Sequence, residues 1–277
     1  QEEIIEILEF KKEDAFEMEE KGFFFMPNKI TYIKKTDSIE NILNNLTKNK
    51  RKKVKKAINK SEGIEIIKER PLKEESFKEW FKLYIENLEN KKYPKILATS
   101  DWWEKDLNDC EKIGLFLKKD NKIISGIVAR SKEKDLLPRR MSISFSATKE
   151  EFKDTGLYDY LNVLAITFAN EIGYEHIERG KDTNLYGKHL STGIPIFKTS
   201  LGFEIKAVKD KPDILIKFNS IDEFEDKIFF VSYSGSDRLI GNLIVKDFNN
   251  IEDYKFDFLE KLKVFRYENK KLVLIEN

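Results

Sequence analysis

Between Gly156 and Ile172 the chain runs for seventeen residues with only two charged side chains, Asp159 and Glu171, although 36% of all residues are ionisable. A helix with so little charge has no face to offer water and must be buried against a sheet; Gly173 is placed to close it as a C-cap. Sheet material stands on both sides of it. Upstream lie IGLFLKK, a turn at Asp120 and Asn121, KIISGIVARSK and LLPRRMSISFSA; downstream lies YEHIERG. In LLPRRMSISFSA, Met141, Ile143 and Phe145 alternate with Ser142, Ser144 and Ser146, so period two predicts one apolar face and one face of three hydroxyls. These patterns together point to an α/β protein with a central sheet flanked by helices.

Amphipathic helices surround this centre. After Asp37 and Ser38, which offer an N-cap, residues 39–60 read as one helix: Ile39, Ile42, Leu43, Leu46, Val54, Ala57 and Ile58 recur at spacings of three and four, interrupted by Lys50. Gly63 stops it, and GIEIIK follows as a strand. Residues 74–89 give a second helix through Phe77, Trp80, Phe81, Tyr84, Ile85 and Leu88, and a helical segment is expected around Trp102 and Trp103. The N-terminus reads as a strand EIIEILEF, a short acidic helix, and a β-prone pair FFFMPNKITYIK broken at Pro27 and Asn28. After YEHIERG come GIPIFKTSLGFEIKAV and a strand ILIKF. From Ser220 the order is strand KIFFVSY, turn SGSD, strand LIGNLIVK, a helix over 250–262, and a hairpin KVFRYENKKLVLIE. No Gly/Ser-rich linker interrupts the chain, so a packed C-terminal subdomain is expected rather than a free module. The expected organisation is thus 1–37, N-terminal strands packing on the core; 38–219, the central domain; and 220–277, a small C-terminal α/β extension.

Composition removes several classes of function. Lys and Arg number 51 against 50 Asp and Glu, so net charge steers no partner. One cysteine, Cys110, and two histidines, His176 and His189, leave no material for a disulfide scaffold or a cysteine-rich zinc site, so no metal is expected. No stretch reaches the ~18 uncharged apolar residues of a membrane span. The acidic start QEEIIEILEFKKED is unlike a basic-then-apolar signal peptide, so a cytoplasmic protein is expected.

The order strand, two helices, three strands in meander, buried helix, strand, helix, strand resembles the GNAT N-acyltransferase fold. Within it, the chain is similar to the branch of Fem-type peptidyl transferases and related acyltransferases of unassigned substrate. Three segments carry the resemblance: the basic helix entry RKKVKKAINKSEGIEI, the run GLYDYLNVLAITFANEIGYEHIERG, and the closing FKTSLGFEI. The resemblance implies that the strands before and after the buried helix splay apart and that CoA lies in the gap. Its pyrophosphate would then meet N–H groups at the helix N-terminus, where unpaired donors and the helix dipole favour an anion. The signature Gln/Arg-x-x-Gly-x-Gly/Ala is represented by KDTGLY. Lys153 stands for the cation and Gly156 for the first glycine, and Tyr158 stands where a small residue belongs. Lys153, Thr155, Gly156 and Leu157 are therefore the implied cofactor-binding residues. Fem-type relatives take aminoacyl-tRNA as donor instead, which leaves the donor open.

Acyl transfer to an amine needs a base or water path, donors for the oxyanion, and an acid for the leaving group. Glu178, at the end of HIERG, is the first candidate base; a salt bridge with Arg179 or a nearby lysine is the alternative. Tyr186 in NLYGKH lies where many GNAT proteins carry the Tyr that reprotonates a leaving thiolate. A phenol with an ordinary pKa of about 10 suits that task, and a packing role is the alternative. Lys198 in IFKTSLGF matches a lysine near the cleft of Fem-like proteins, where a desolvated ammonium would hold a carboxylate or an oxyanion. Ser144 and Ser146 are either substrate-facing hydroxyls of a polar cleft wall or part of a half-exposed sheet face. From Lys48 to Lys60 eight of thirteen residues are basic and none is acidic, which fits either phosphate contact or a solvated helix face.

The expected activity is transfer of an acyl group from acyl-CoA, acetyl-CoA first, to an amine on a small molecule or peptide. An aminoacyl-tRNA-dependent transferase acting on a cell-wall or lipid amine is the alternative enzyme, with tRNA as a less favoured partner. A GNAT-fold binding protein without catalysis is the alternative outside enzymes.

Overall fold

A computed structural model describes residues 4–8, 10, 14–89, 97–132, 139–234, 238–246, 262–268 and 271–276. The chain divides into two compact units that are each discontinuous in sequence, unlike the three consecutive segments expected. One holds Ile33–Gly180 and Ser200–Phe203; the other holds Gln1–Tyr32, Lys181–Thr199 and Glu204–Asn277. We refer to them as the inner and outer units by their place in the sequence.

The inner unit is built from the end of β3 (Lys29–Lys35), α2 (Ile39–Asn45), α3 (Lys48–Asn59), β4 (Glu65–Glu69), α4 (Glu74–Glu89), β5 (Lys112–Lys119), β6 (Lys122–Lys132), β7 (Arg140–Thr148), a 3-10 turn Glu150–Thr155, α5 (Leu157–Glu171) and most of β8 (His176–Thr183). Its strand order is β4-β5-β6-β7-β8-β3. The first four strands form an antiparallel meander, and β7 and β8 are parallel. The uncharged helix is α5. Eleven of its fifteen residues are buried, Asp159 among them, because the sheet lies on one side and α2 and α3 on the other. Its C-terminus closes as expected, with Gly173 in the left-handed region and the Tyr174 N–H donating to the Ala169 carbonyl. On the opposite face of the sheet, α4 packs Phe77, Trp80, Tyr84 and Leu88 against Phe116, Val128 and Ala147. Gly126 lets the α4 indole come close, and Trp80 Nε1 donates to the Gly126 carbonyl at 3.1 Å.

Three local expectations are corrected. Residues 39–60 are two helices, because Leu46 is extended and Thr47 caps a new start by accepting from the Lys50 N–H. The Trp102–Trp103 region is a series of turns whose Trp102 ring packs beside α4. The alternation in β7 is broken: Phe145 pairs with Val128 and Ile143 with Ala129, so Ser144 is a bulge residue. An extra residue reverses the facing of everything beyond it. Phe145 and Ala147 therefore turn to the α4 core, and Ser146 turns to the α5 side. Ser142, Ser144 and Ser146 do not share a face.

In the outer unit, β1 (Ile4–Ile7) and β2 (Phe24–Met26) flank β10 (Ile214–Phe218) in an antiparallel sheet, with α1 (Ala15–Glu20) between β1 and β2 in the chain. A second sheet has the order β11 (Lys227–Ser234), β12 (Arg238–Val245), β13 (Leu262–Glu268), β14 (Lys271–Glu276), with the β12–β13 pair parallel. Met26, Ile214, Ile216, Phe218, Ile228, Phe230 and Ile244 form the core shared by the two sheets. Phe24 seals it edge-on against Phe230, with centroids 4.9 Å apart. The unit also contains α6 (Gly193–Ser200) up to Thr199, and β9 (Glu204–Ala207). The turn expected at SGSD lies mostly, and the helix expected over 250–262 almost wholly, outside the described residues; Leu262 begins β13. No helix among the described residues is long and apolar enough to cross a membrane.

Candidate functional site

In the inner unit, β7 and β8 pair only from Arg140 and His176 to Ile143 and Arg179. Past that point the bulge at Ser144 takes β7 out of register, and the ladder between them ends. The first turn of α5 faces this parting. The Tyr158 hydroxyl is hydrogen-bonded to the Ser146 hydroxyl (2.7 Å) and accepts from an Arg179 terminal nitrogen (3.0 Å), so one phenol links both strands. Ser144, Ser146 and Tyr158 are half-buried, which leaves this floor within reach of solvent.

The N-terminus of α5 is tightly built. Gly156 has φ +87°, and a Cβ there would stand 2.9 Å from the Lys53 carbonyl of α3, so only glycine allows the approach. Thr155 accepts from the Leu157 N–H (3.3 Å) and donates to the Phe152 carbonyl. Lys153 pairs with Glu150. Asp159, buried in the first turn, receives Lys50 at 2.8 Å and Lys53 at 3.2 Å, where a carboxylate is also favoured by the helix dipole. The basic helix α3 thus spends two of its lysines on this helix start.

Glu178 is 2% exposed and lies on the other face of β8 from Arg179. It is in register with Ser142, which is in register with Arg130, which is in register with Lys112. Paired residues share a face, so four adjacent strands carry a polar row on the α4 side, with strands ~4.8 Å apart. Lys112 Nζ sits over the Trp102 ring at 4.3 Å.

The outer unit holds a second cluster. Lys198 on α6 donates to Asp182 Oδ2 (2.6 Å) and lies 4.3 Å from the centre of the Tyr32 ring. Tyr186 donates to the same carboxylate oxygen (2.8 Å), and its hydroxyl is hydrogen-bonded to that of Tyr32 (2.7 Å). The Tyr186 segment is fixed from both sides. Its N–H and carbonyl pair with Phe229 of β11, and Asn184 donates to the Pro27 and Val231 carbonyls and accepts from the Val231 N–H. Tyr32 and Tyr186 are both 0% exposed. Burial, first of all, pushes both phenols above the ordinary value, Tyr186 with added repulsion from Tyr32 and Asp182. The ordinary phenol expected at Tyr186 is therefore corrected: this one keeps its proton.

The structure joins two of the sequence candidates, Tyr186 and Lys198, through Asp182, and places Glu178 in the other unit. Asp182 and Tyr32 escaped sequence reasoning. Asp182 lies four residues before Tyr186 and sixteen before Lys198, and nothing at that spacing marks a shared carboxylate; Tyr32 reads as one more β-prone residue in ITYIK.

No family model matches the chain, and no curated protein matches it. Among solved structures, FemX is similar over 78% of this chain and 72% of its own, with 14% identity and a TM-score of 0.51. L-PGS from Bacillus licheniformis aligns over 76% and 67% with 16% identity and a TM-score of 0.45. A tandem GNAT protein from the clavulanic acid biosynthesis pathway aligns over 76% and 59%, with 8% identity and a TM-score of 0.40.

Proposed function

We propose that this chain, which has a GNAT-like fold shared with FemX, is an N-acyltransferase that moves an acyl group from acyl-CoA to an amine. One observation carries the reading: β7 and β8 part beside the N-terminus of α5, above a half-buried floor of Ser146, Tyr158 and the Arg179 guanidinium. A thioester in that parting would find hydroxyl and guanidinium donors for its carbonyl oxygen as charge develops on it. Thr155, Gly156 and Leu157 would meet the donor's phosphates. Lys153 and Lys53, both partly exposed, would supply cations beside them.

In this reading the amine nitrogen attacks the thioester carbon, the C–N bond forms, and the C–S bond breaks with its electron pair on the CoA sulfur, which takes a proton from water. The amine proton passes through water to Glu178, which lies on the other face of β8 from Arg179. Ser144 borders the acceptor. Lys198 and Tyr186 are a second functional set within the outer unit: the Lys198 ammonium would hold the carboxylate of a ligand there, and Tyr186 holds Asp182 against it. The test is a melting curve with acetyl-CoA and longer acyl-CoAs at millimolar concentration, joined to a thiol-release assay with amine acceptors. A ligand-dependent rise in melting temperature is expected by mass action, together with thiol release that Glu178→Gln reduces in folded protein.

An aminoacyl-tRNA donor is the second reading, favoured by the extent of the FemX match. An unchanged melting curve with every acyl-CoA, alongside saturable binding of aminoacyl-tRNA, would put it first.

A further inference from the structure

The inner face of the outer unit's four-stranded sheet should be apolar throughout, since it packs on the β1-β10-β2 sheet. Along β11, Ile228 and Phe230 obey that rule, as do Ile244 on β12 and Phe265 on β13. At one end of the same face the residues change. Ser232 follows Phe230 by two positions on β11, Asn242 precedes Ile244 by two on β12, and Lys263 precedes Phe265 by two on β13. Period two puts all three on the core side, and Asn242 and Lys263 are direct neighbours in the ladder.

These three polar side chains line a cavity of about 340 Å³. Phe24, Phe265, Ile240 and Leu272 supply apolar wall, and Glu19 stands on the rim. Asn242 is 0% exposed. Its amide nitrogen donates to Ser232 Oγ at 2.8 Å, and its Oδ1 has no hydrogen-bond partner among the described residues. Exchanging the amide's O and N only moves the vacancy to the nitrogen. A buried polar atom left in that condition is destabilising, and a ligand donor in the cavity would satisfy it. Lys263 likewise makes no ion pair among the described residues.

We infer that this cavity is a binding site for a small zwitterion with an apolar body, of the class of a free apolar or aromatic α-amino acid. The ligand ammonium would donate to Asn242 Oδ1 and Ser232 Oγ with Glu19 nearby, its carboxylate would take Lys263, and its side chain would lie among Phe24, Phe265 and Leu272. The site is independent of the acyl-transfer reading and of every residue in it.

The experiment is calorimetric titration of the full chain with L-phenylalanine and L-leucine, with L-phenylalaninamide and 3-phenylpropionate as probes lacking the carboxylate charge and the amine. Saturable binding of the amino acids is expected, weakened at least tenfold for both truncated probes. Lys263→Met should weaken the amino acids at least tenfold while leaving the weak binding of the amide unchanged, and Leu272→Trp should abolish binding by filling the cavity; circular dichroism verifies that each variant is folded. No binding of any amino acid to the wild type would overturn the assignment and leave the cavity to water. Binding that survives both substitutions would overturn it too, by placing the ligand elsewhere.

Discussion

Each unit holds a tyrosine hydroxyl between two side-chain partners, and the two tyrosines end in opposite conditions. In the inner unit Tyr158 is half-buried, with Ser146 and Arg179 as partners, at a place where two strands have stopped pairing. In the outer unit Tyr186 is sealed, held by Asp182 and Tyr32, with its backbone paired to β11. Similar functional groups therefore serve different ends. Water and ligand can compete for the hydroxyl in the parting, whereas the sealed one is fixed in geometry and in protonation, and acts on whatever reaches Lys198 only through Asp182.

The largest expected effect tests that sealed arrangement. Asp182→Ala removes the carboxylate shared by Lys198 and Tyr186, both of them nearly excluded from water. Losing one partner of a buried ion pair costs about 3 kcal/mol or more, read as a shift of the urea midpoint at unchanged slope. Adding Lys198→Met should restore part of that loss, because the stranded ammonium is then gone. A single-variant loss below about 1 kcal/mol would mean that the cluster is solvated and that the contrast with Tyr158 is false.

Next in size is the alkaline limb of stability. Tyr32 and Tyr186 are raised by burial, so the folded state keeps protons that the unfolded chain releases above pH ~10. Their contribution is complete below that pH and is lost as pH climbs toward the folded values, at about 1.4 kcal/mol per pH unit for each phenol. Tyr32→Phe should therefore flatten the decline measured by urea unfolding between pH 9 and 11. Tyr160 and Tyr174, also raised by burial, act in both proteins and cancel in the comparison. Identical slopes in the two proteins would show that Tyr32 ionises as freely when folded as when unfolded.

Smaller still is the effect in the parting. Tyr158→Phe gives up two hydrogen bonds, but water replaces them at a half-buried position, so the loss is about 1 kcal/mol or less. The same substitution at Tyr186 should cost more. Reversal of that order, by chemical denaturation, would contradict the assignment of open and sealed sites.

What the sequence revealed of these regions follows from the physical range of each signal. The burial of α5 was legible because charge is excluded from a whole helix, a property summed over seventeen residues. The bulge was not: MSISFS alternates without a fault, and only the pairing of Ile143 with Ala129 and Phe145 with Val128 shows that Ser146 has changed sides. The helix break was half visible, since Thr47 is a good cap residue lying inside a stripe that seemed to continue. Lys198 and Tyr186 were found one at a time through a resemblance, while Asp182, which unites them, depends on a fold that brings β8 and α6 together.

The smallest expected change in stability comes from α3, whose two faces repeat the contrast on one helix. Lys50 and Lys53 turn with Val54 and Ala57 toward α5 and neutralise Asp159, whereas Lys52, Lys55 and Lys56 are exposed. Exposed charges contribute little to stability, so Lys52→Glu with Lys55→Glu and Lys56→Glu should leave the urea midpoint nearly unchanged, while Lys50→Glu alone should lower it by placing a second carboxylate against Asp159. The triple variant also separates the two donors. Contact with a polyanion gives a log–log salt dependence of ~0.7 per phosphate on single strands, so tRNA affinity that falls with salt and disappears in the triple variant would assign the outer face to nucleic acid and favour the aminoacyl-tRNA reading. With acyl-CoA as donor, the outward lysines are a solvated face, tRNA binding is weak in both proteins, and the acyl-CoA melting shift survives all three substitutions.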